Sequence, residues 1–170
     1  QETESKLIGL SIRKNLEVHL IGHLQSNKVR RALKLYDVIQ TVDSIKLGKK
    51  ISSLAKEINK IQRIYMQINV GQDPQKKGFT LNQTIDAALQ ISELDNIILE
   101  GIMMIPPFID MDAAYRKIYI QTRQLRDQLL LAGIDTCKNL SMGMSRDYKM
   151  AIEEGATHIR IGTALFGKRP

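Results

Sequence analysis

Two short stretches, NLSMGMSRDY (139–148) and HIRIGTALFG (158–167), bring together residue types that can hold an anion. Each is an apolar run that passes into Gly, Ser or Thr and then into helix-forming residues. Gly162 has no side chain, so its backbone N–H can approach a negatively charged oxygen closely. Thr163 adds a hydroxyl, and both stand where a helix begins and negative charge is favoured. Ser145 ends the first run. It suits an N-cap of the helix that follows, with Asp147 in the first turn. It equally suits a phosphate contact if the two run ends are neighbours. Strand alternation puts Arg160 on one face with His158 and Gly162, opposite Ile159 and Ile161. An inward arginine needs an anion or another acceptor, whereas an outward one is simply solvated. Ser145, Arg160, Gly162 and Thr163 are therefore the candidate residues, and phosphate binding is the candidate chemistry.

The elements that must position them alternate along the chain. EVHLIG reads as a strand and NKVRRALKLY as a helix; VIQTVD is the next strand, and Asp43 or Ser44 can cap a helix over 46–58. IYMQINV is a third strand, broken by the turn-rich GQDPQKKG. A helix with Leu81, Ile85, Ala88 and Leu89 on one face follows. IILEGIMMI is a fourth strand, stopped by Pro106 and Pro107. A long helix carries the stripe Tyr115, Ile118, Thr122, Leu125 and Leu129 and ends at Gly133. TCKNLSM and THIRIG are the last two strands, with a helix over DYKMAIEE between them and a short one over TALFG. Leu7, Ile8 and Ile12 give the first dozen residues the look of a helix tail.

Repeated strand–helix units mean a parallel sheet covered by helices. An open doubly wound sheet places a glycine-rich phosphate loop after its first strand, and VHLIGHLQSNK with its single glycine is no such fingerprint. A barrel often builds a phosphate site from its last two strand ends and a short extra helix, which is the pattern here. The expected fold is thus an α/β chain, a (β/α)8 TIM barrel, forming a single domain over residues 1–170. Six strands are visible where eight close a barrel. The first two βα units are therefore expected to be absent from the chain, and its open sheet edges are expected to recruit other chains.

Composition narrows the function classes. An apolar fraction of 43% is that of a globular chain, no run of about 18 apolar residues exists, and the polar opening QETESK is no signal peptide. The lone Cys137 reads as a small core hydrophobe in a reducing compartment, the cytoplasm. The net charge of +7 invites a nucleic-acid reading. However, the lysines of KLGKKISSLAKEINK fall between Leu47, Ile51, Leu54 and Ile58, on the solvated side of an amphipathic helix. Aromatics at 5% are not interleaved with the basic residues, so no base-stacking platform is visible.

LSMGMSRDYKMAIEEGATHIRIGTALFG, HLIGHLQSNK, GIMMIPP and QKKGF together resemble the YggS/PROSC family of pyridoxal-phosphate-binding proteins, over the whole chain. The resemblance implies the barrel of fold-type III pyridoxal 5'-phosphate (PLP) enzymes, similar to the N-terminal domain of alanine racemase. It implies that Ser145, Gly162 and Thr163 hold the cofactor phosphate and that Arg160 donates to the pyridine nitrogen. It further implies a PLP homeostasis role without catalytic turnover, PLP-dependent apo-enzymes as partners, and a parent protein that is a monomer or weak dimer. The family's Schiff-base lysine and its Asn-containing GEN segment precede the first residue of this chain. Lys28, in QSNK, matches a different family position and is expected to be structural or a ligand contact. The alternatives are a racemase-like enzyme and a basic RNA-binding module. Alanine racemase uses a second domain with a catalytic tyrosine, and this chain stops at FGKRP with its five tyrosines on packing positions.

His19 and His23 are expected on one face around HLIGH, in a packed, hydrogen-bonded role, with a proton relay near the cofactor as the alternative. Metal ligation is not expected, because no carboxylate or thiol is read at ligand spacing. Met103 and Met104 read as strand core.

Overall fold

In the computed structural model, which describes residues 15–71, 73, 75–107 and 112–167, the alternating pattern becomes six parallel strands whose spatial order equals their chain order. These are β1 (His19–Leu20), β2 (Val38–Val42), β3 (Gln62–Ile68), β4 (Ile97–Met104), β5 (Asn139–Met144) and β6 (His158–Arg160). Between and after them lie α1 (Val29–Leu35), α2 (Ile45–Glu57), α3 (Leu81–Ser92), α4 (Asp112–Leu131), α5 (Tyr148–Glu153) and the single turn α6 (Thr163–Phe166). The helix expected over the first dozen residues lies outside the described residues. Among the described residues no helix is long and apolar enough to cross a membrane.

Local chemistry explains most boundaries. Ser44 caps α2 by accepting the Leu47 N–H at 3.3 Å, and Leu47, Ile51, Leu54 and Ala55 form its buried stripe. The long helix α4 buries Ile118, Thr122, Leu125 and Leu129 as the pattern predicts, and Gly133 follows it at a positive φ of 90°. The face expected for α3 is rotated in the structure. Thr84, Ala87, Ala88 and Ile91 are buried, while Leu89 is 38% exposed. The α2–α3 packing is close at Gly48, where an added Cβ would meet the Ile91 side chain at 3.4 Å.

The sheet is curled, because side chains meet across strands that do not pair. Ser141 on β5 donates to Gln40 on β2, Arg160 on β6 donates to the Met104 carbonyl on β4, and the His19 and His158 rings of β1 and β6 lie 5.6 Å apart. Curling separates two environments. The main core lies between the strands and the helices and contains Ile39, Val42, Ile64, Met66, Ile102, Leu140 and Met142. The concave side has only a small apolar group, Val38, Tyr65 and Met103. Around that group it is polar, which differs from the apolar filling usual in barrels. In β2 Gln40 shares the concave side with Val38 by alternation, and the ladder then shifts between Ile39 and Val42, so that both of these lie in the main core.

Glycine is required where β5 turns into α5. Gly143 has a φ of 92°, and a Cβ there would come within 2.6 Å of the Ala151 Cβ. The close packing of α5 on the end of β5 thus rests on a residue without a side chain.

Candidate functional site

Ser145 begins the turn after β5, and Gly162 is the N-cap residue of α6 after β6. The structure brings them together. Ser145 Oγ accepts the backbone N–H groups of Gly162 at 3.1 Å and Ala164 at 3.3 Å. Its oxygen therefore sits where an anion would sit at that helix start. Ser145 does not cap α5: Asp147 is the N-cap residue there, and its Oδ1 accepts the Met144 N–H at 2.5 Å. Thr163, exposed, is the first residue of α6. Above Gly162 the space is open, since a Cβ would meet nothing within 4 Å.

Arg160 points inward rather than to solvent. Its Nη1 donates to Ser141 Oγ at 2.8 Å and its Nη2 to the Met104 carbonyl at 2.7 Å. Burial pulls the guanidinium below its ordinary value, and the nearby Tyr119 and Asp147 partly oppose this. An arginine still carries its charge at neutral pH. Ser145, Arg160, Gly162 and Thr163 all line one cavity of about 1090 Å³, above the roughly 300–1,000 Å³ usual for small-molecule sites. Lys28 ends an exposed single turn and does not line it. Lys76 does, with its amine donating to the Pro106 carbonyl at 2.7 Å and its basicity lowered by burial. Tyr115, assigned to packing by its stripe, also reaches the wall of this cavity.

The two histidines of HLIGH do not act as a pair. β1 ends at Leu20, so the chain turns away before His23, which is exposed beside Asp43 and Lys77. His19 instead meets His158, with Glu17 Oε1 2.5 Å from its Nε2. Glu17, His19 and His158 place their ligand atoms within 4.8 Å of one another, a grouping that the spacing did not reveal. The donor pattern makes it a hydrogen-bonded network. Arg63 already donates to the other Glu17 oxygen, and Gln40 Nε2 lies 2.6 Å from His19 Nδ1. Burial lowers the basicity of His158, with the neighbouring His19 adding to the effect. Glu17 is desolvated too, but its bonds to Arg63 and His19 prevail and hold its pKa below the ordinary carboxylate value. Cys137 is fully buried and its thiol is pushed up to about 12 by that burial, the property of an inert core residue.

Sequence reasoning missed Gln40 and Ser141, and it placed His158 on the face of Arg160 without giving it a role. Gln40 left a visible signal, a glutamine inside the apolar run VIQTV. Ser141 left a weaker one, four residues before Ser145 on the same strand end.

A parallel α/β sheet with its last two strand ends gathered at one cavity is the arrangement in which α/β barrels frequently build a phosphate site. The chain belongs to the alanine racemase N-terminal-domain family, whose model matches residues 9–170. Within that family it stands with the proteins named pyridoxal phosphate homeostasis protein. The Aquifex aeolicus member is 37% identical over 155 residues, which cover 91% of this chain and 68% of that protein. PipY of Synechococcus elongatus, solved with PLP bound, is 34% identical with a TM-score of 0.90, over 98% of this chain and 78% of that one. Alanine racemase of Clostridium difficile, 20% identical with a TM-score of 0.79 over 98% of this chain and 42% of that one, shares the fold. The chain spans about two thirds of the length of the first curated relatives it matches, 66–68%.

Proposed function

We propose that this protein binds PLP at the ends of β5 and β6 and holds it in reserve, without turning over a substrate of its own. The observation that carries the reading is the convergence of Ser145, Gly162 and Thr163 on the cavity that also takes in Arg160. The donor set fits the cofactor. Ser145 Oγ accepts two N–H groups, which leaves its own proton to donate to a phosphate oxygen. Arg160 uses two of its five N–H groups on Ser141 and Met104, so others remain for a ring nitrogen. Bound PLP supplies an electron-withdrawing ring that stabilises carbanions. An arginine at the ring nitrogen keeps that nitrogen unprotonated and weakens the electron sink, which favours storage over broad catalysis. The names of the relatives and the PLP bound to PipY support the same reading.

The same reading takes the curled sheet as an arc of a (β/α)8 barrel in one PLP-binding domain, with two further strands between β6 and β1. It makes PLP-dependent apo-enzymes the partners that receive the cofactor. It sets the protein in the cytoplasm, where the lone Cys137 stays reduced. Titration of the protein with PLP, followed by calorimetry, tests the reading. Saturable binding that Arg160→Ala weakens by about 0.5–1.5 kcal/mol is expected, with no racemisation of alanine. Absence of saturable binding, or amino-acid turnover by the loaded protein, would overturn it.

A further inference from the structure

A chain of hydrogen bonds reaches Arg160 from across the concave side of the sheet, and its direction is fixed at both ends. Arg160 has no acceptor atom, so Ser141 Oγ must accept from Nη1 at 2.8 Å. The one hydroxyl proton of Ser141 then goes to Gln40 Oε1 at 2.6 Å. That contact orients the amide, and Gln40 Nε2 donates to His19 Nδ1 at 2.6 Å. His19 is left with its proton on Nε2, 2.5 Å from Glu17 Oε1, and Arg63 closes the chain on the other carboxylate oxygen. Donors and acceptors balance at every step. Ser141 and Gln40 are 0% and 2% exposed, so an unmatched proton there would be left without water to receive it.

Reversal of the chain is expensive. A flipped Gln40 would turn its oxygen to His19 and require a proton on Nδ1. The Nε2 lone pair would then face the Glu17 carboxylate unless the ring were doubly protonated. With the relay intact, Ser141 cannot rotate to donate elsewhere, and the guanidinium keeps one fixed acceptor besides the Met104 carbonyl.

We propose that Ser141, Gln40 and His19 are positioning residues for Arg160, a one-way relay anchored on Glu17 that holds the guanidinium toward the ring nitrogen of PLP. The role toward PLP rests on the function proposed above; the relay itself stands on the hydrogen bonds alone. Two measurements separate them. The first uses the protein without cofactor and reads the His19 ring nitrogens by long-range ¹H–¹⁵N NMR at about pH 7.5. A neutral ring protonated on Nε2 is expected, changing to a tautomer mixture in Gln40→Leu. A proton on Nδ1 in the unmodified protein would overturn the relay, whatever the cavity binds.

The second compares binding of PLP with that of its analogue in which the ring nitrogen is replaced by carbon. The unmodified protein should prefer PLP by about tenfold, the worth of one charge-assisted hydrogen bond, and Arg160→Leu should remove the preference. Gln40→Leu and Ser141→Ala should lower it several-fold while affinity for the analogue stays. Gln40→Glu keeps an acceptor for Ser141 and should retain the preference. Preference undiminished in both Gln40→Leu and Ser141→Ala would overturn the positioning role. Equal binding of both ligands by the unmodified protein, unaffected by Arg160→Leu, would instead overturn the reading of Arg160.

Discussion

Ser145 does with one oxygen what helix caps usually do, except that the helix it serves belongs to the next strand. Its removal should therefore act twice. Ser145→Ala leaves the Gly162 and Ala164 N–H groups without their acceptor, a loss of about 1 kcal/mol in urea unfolding. The same variant should weaken PLP binding, and inorganic phosphate at high concentration should restore part of the lost stability by supplying the missing acceptor. Stability unchanged by the substitution would mean that water replaces the hydroxyl at no cost. At this scale the sequence was informative where residue type alone limits the options. Glycine, serine and threonine at the two strand ends pointed to one meeting place, and they line one cavity; an arginine within an apolar strand demands an acceptor, and Arg160 has two. The sequence was silent on partners contributed from distant strands. Nothing near Arg160 in the chain points to Gln40 or Met104, because curvature of the sheet brings them there.

At the scale of elements, helix α5 is seated by a contact that tolerates no added atom. Gly143→Ala combines an unfavourable positive φ with a Cβ 2.6 Å from Ala151, so it should cost about 2–4 kcal/mol. The turn carrying Ser145 should shift with it, weakening PLP binding more than Ala151→Gly, which enlarges the space. Thermal unfolding and a PLP titration on both variants check this; equal effects would mean that the turn is set by Asp147 and not by the glycine. The alternation of strands and helices, the Ser44 cap and the α4 stripe were legible because period and capping chemistry are local. The α3 face was legible only in part: Ala88 is buried and Leu81 and Ile85 pack against the core as expected, but Leu89 turns outward and Thr84, Ala87 and Ile91 are buried as well. The pairing of His19 with His158 in place of His23 was also hidden, because a two-residue strand leaves too little alternation to fix a face.

For the molecule as a whole, the network on the concave side should make stability depend on pH. Burial and the adjacent His19 hold His158 below its ordinary value of 6.5. Between the lowered value and 6.5 the unfolded chain binds more protons, so stability rises with pH through that window and is fully present above it. Glu17, held below its ordinary 4.5, sheds its contribution only in stronger acid. Glu100 is raised by burial, despite Arg63, and acts in the opposite sense, losing its contribution as pH rises past 4.5. A lower urea midpoint is therefore expected at about pH 5.5 than at about pH 7.5, and His158→Gln should flatten that difference. An equal slope in the variant would assign the dependence to other groups. The sheet has a further consequence, in time rather than in energy. Although β1 to β6 follow one another in space as in the chain, their ladders are unequal: β3 and β4 pair along their whole length, while β1 and β6 are strands of two and three residues, so local opening is easiest there. Amide hydrogen exchange should be slowest in β3 and β4 and fastest in β1 and β6. Arg160 lies on β6 and Gly162 just beyond it, so a ligand seated there would slow exchange at the fast end while leaving the centre unchanged. Uniform slowing on PLP addition would instead show that the whole sheet opens as one unit.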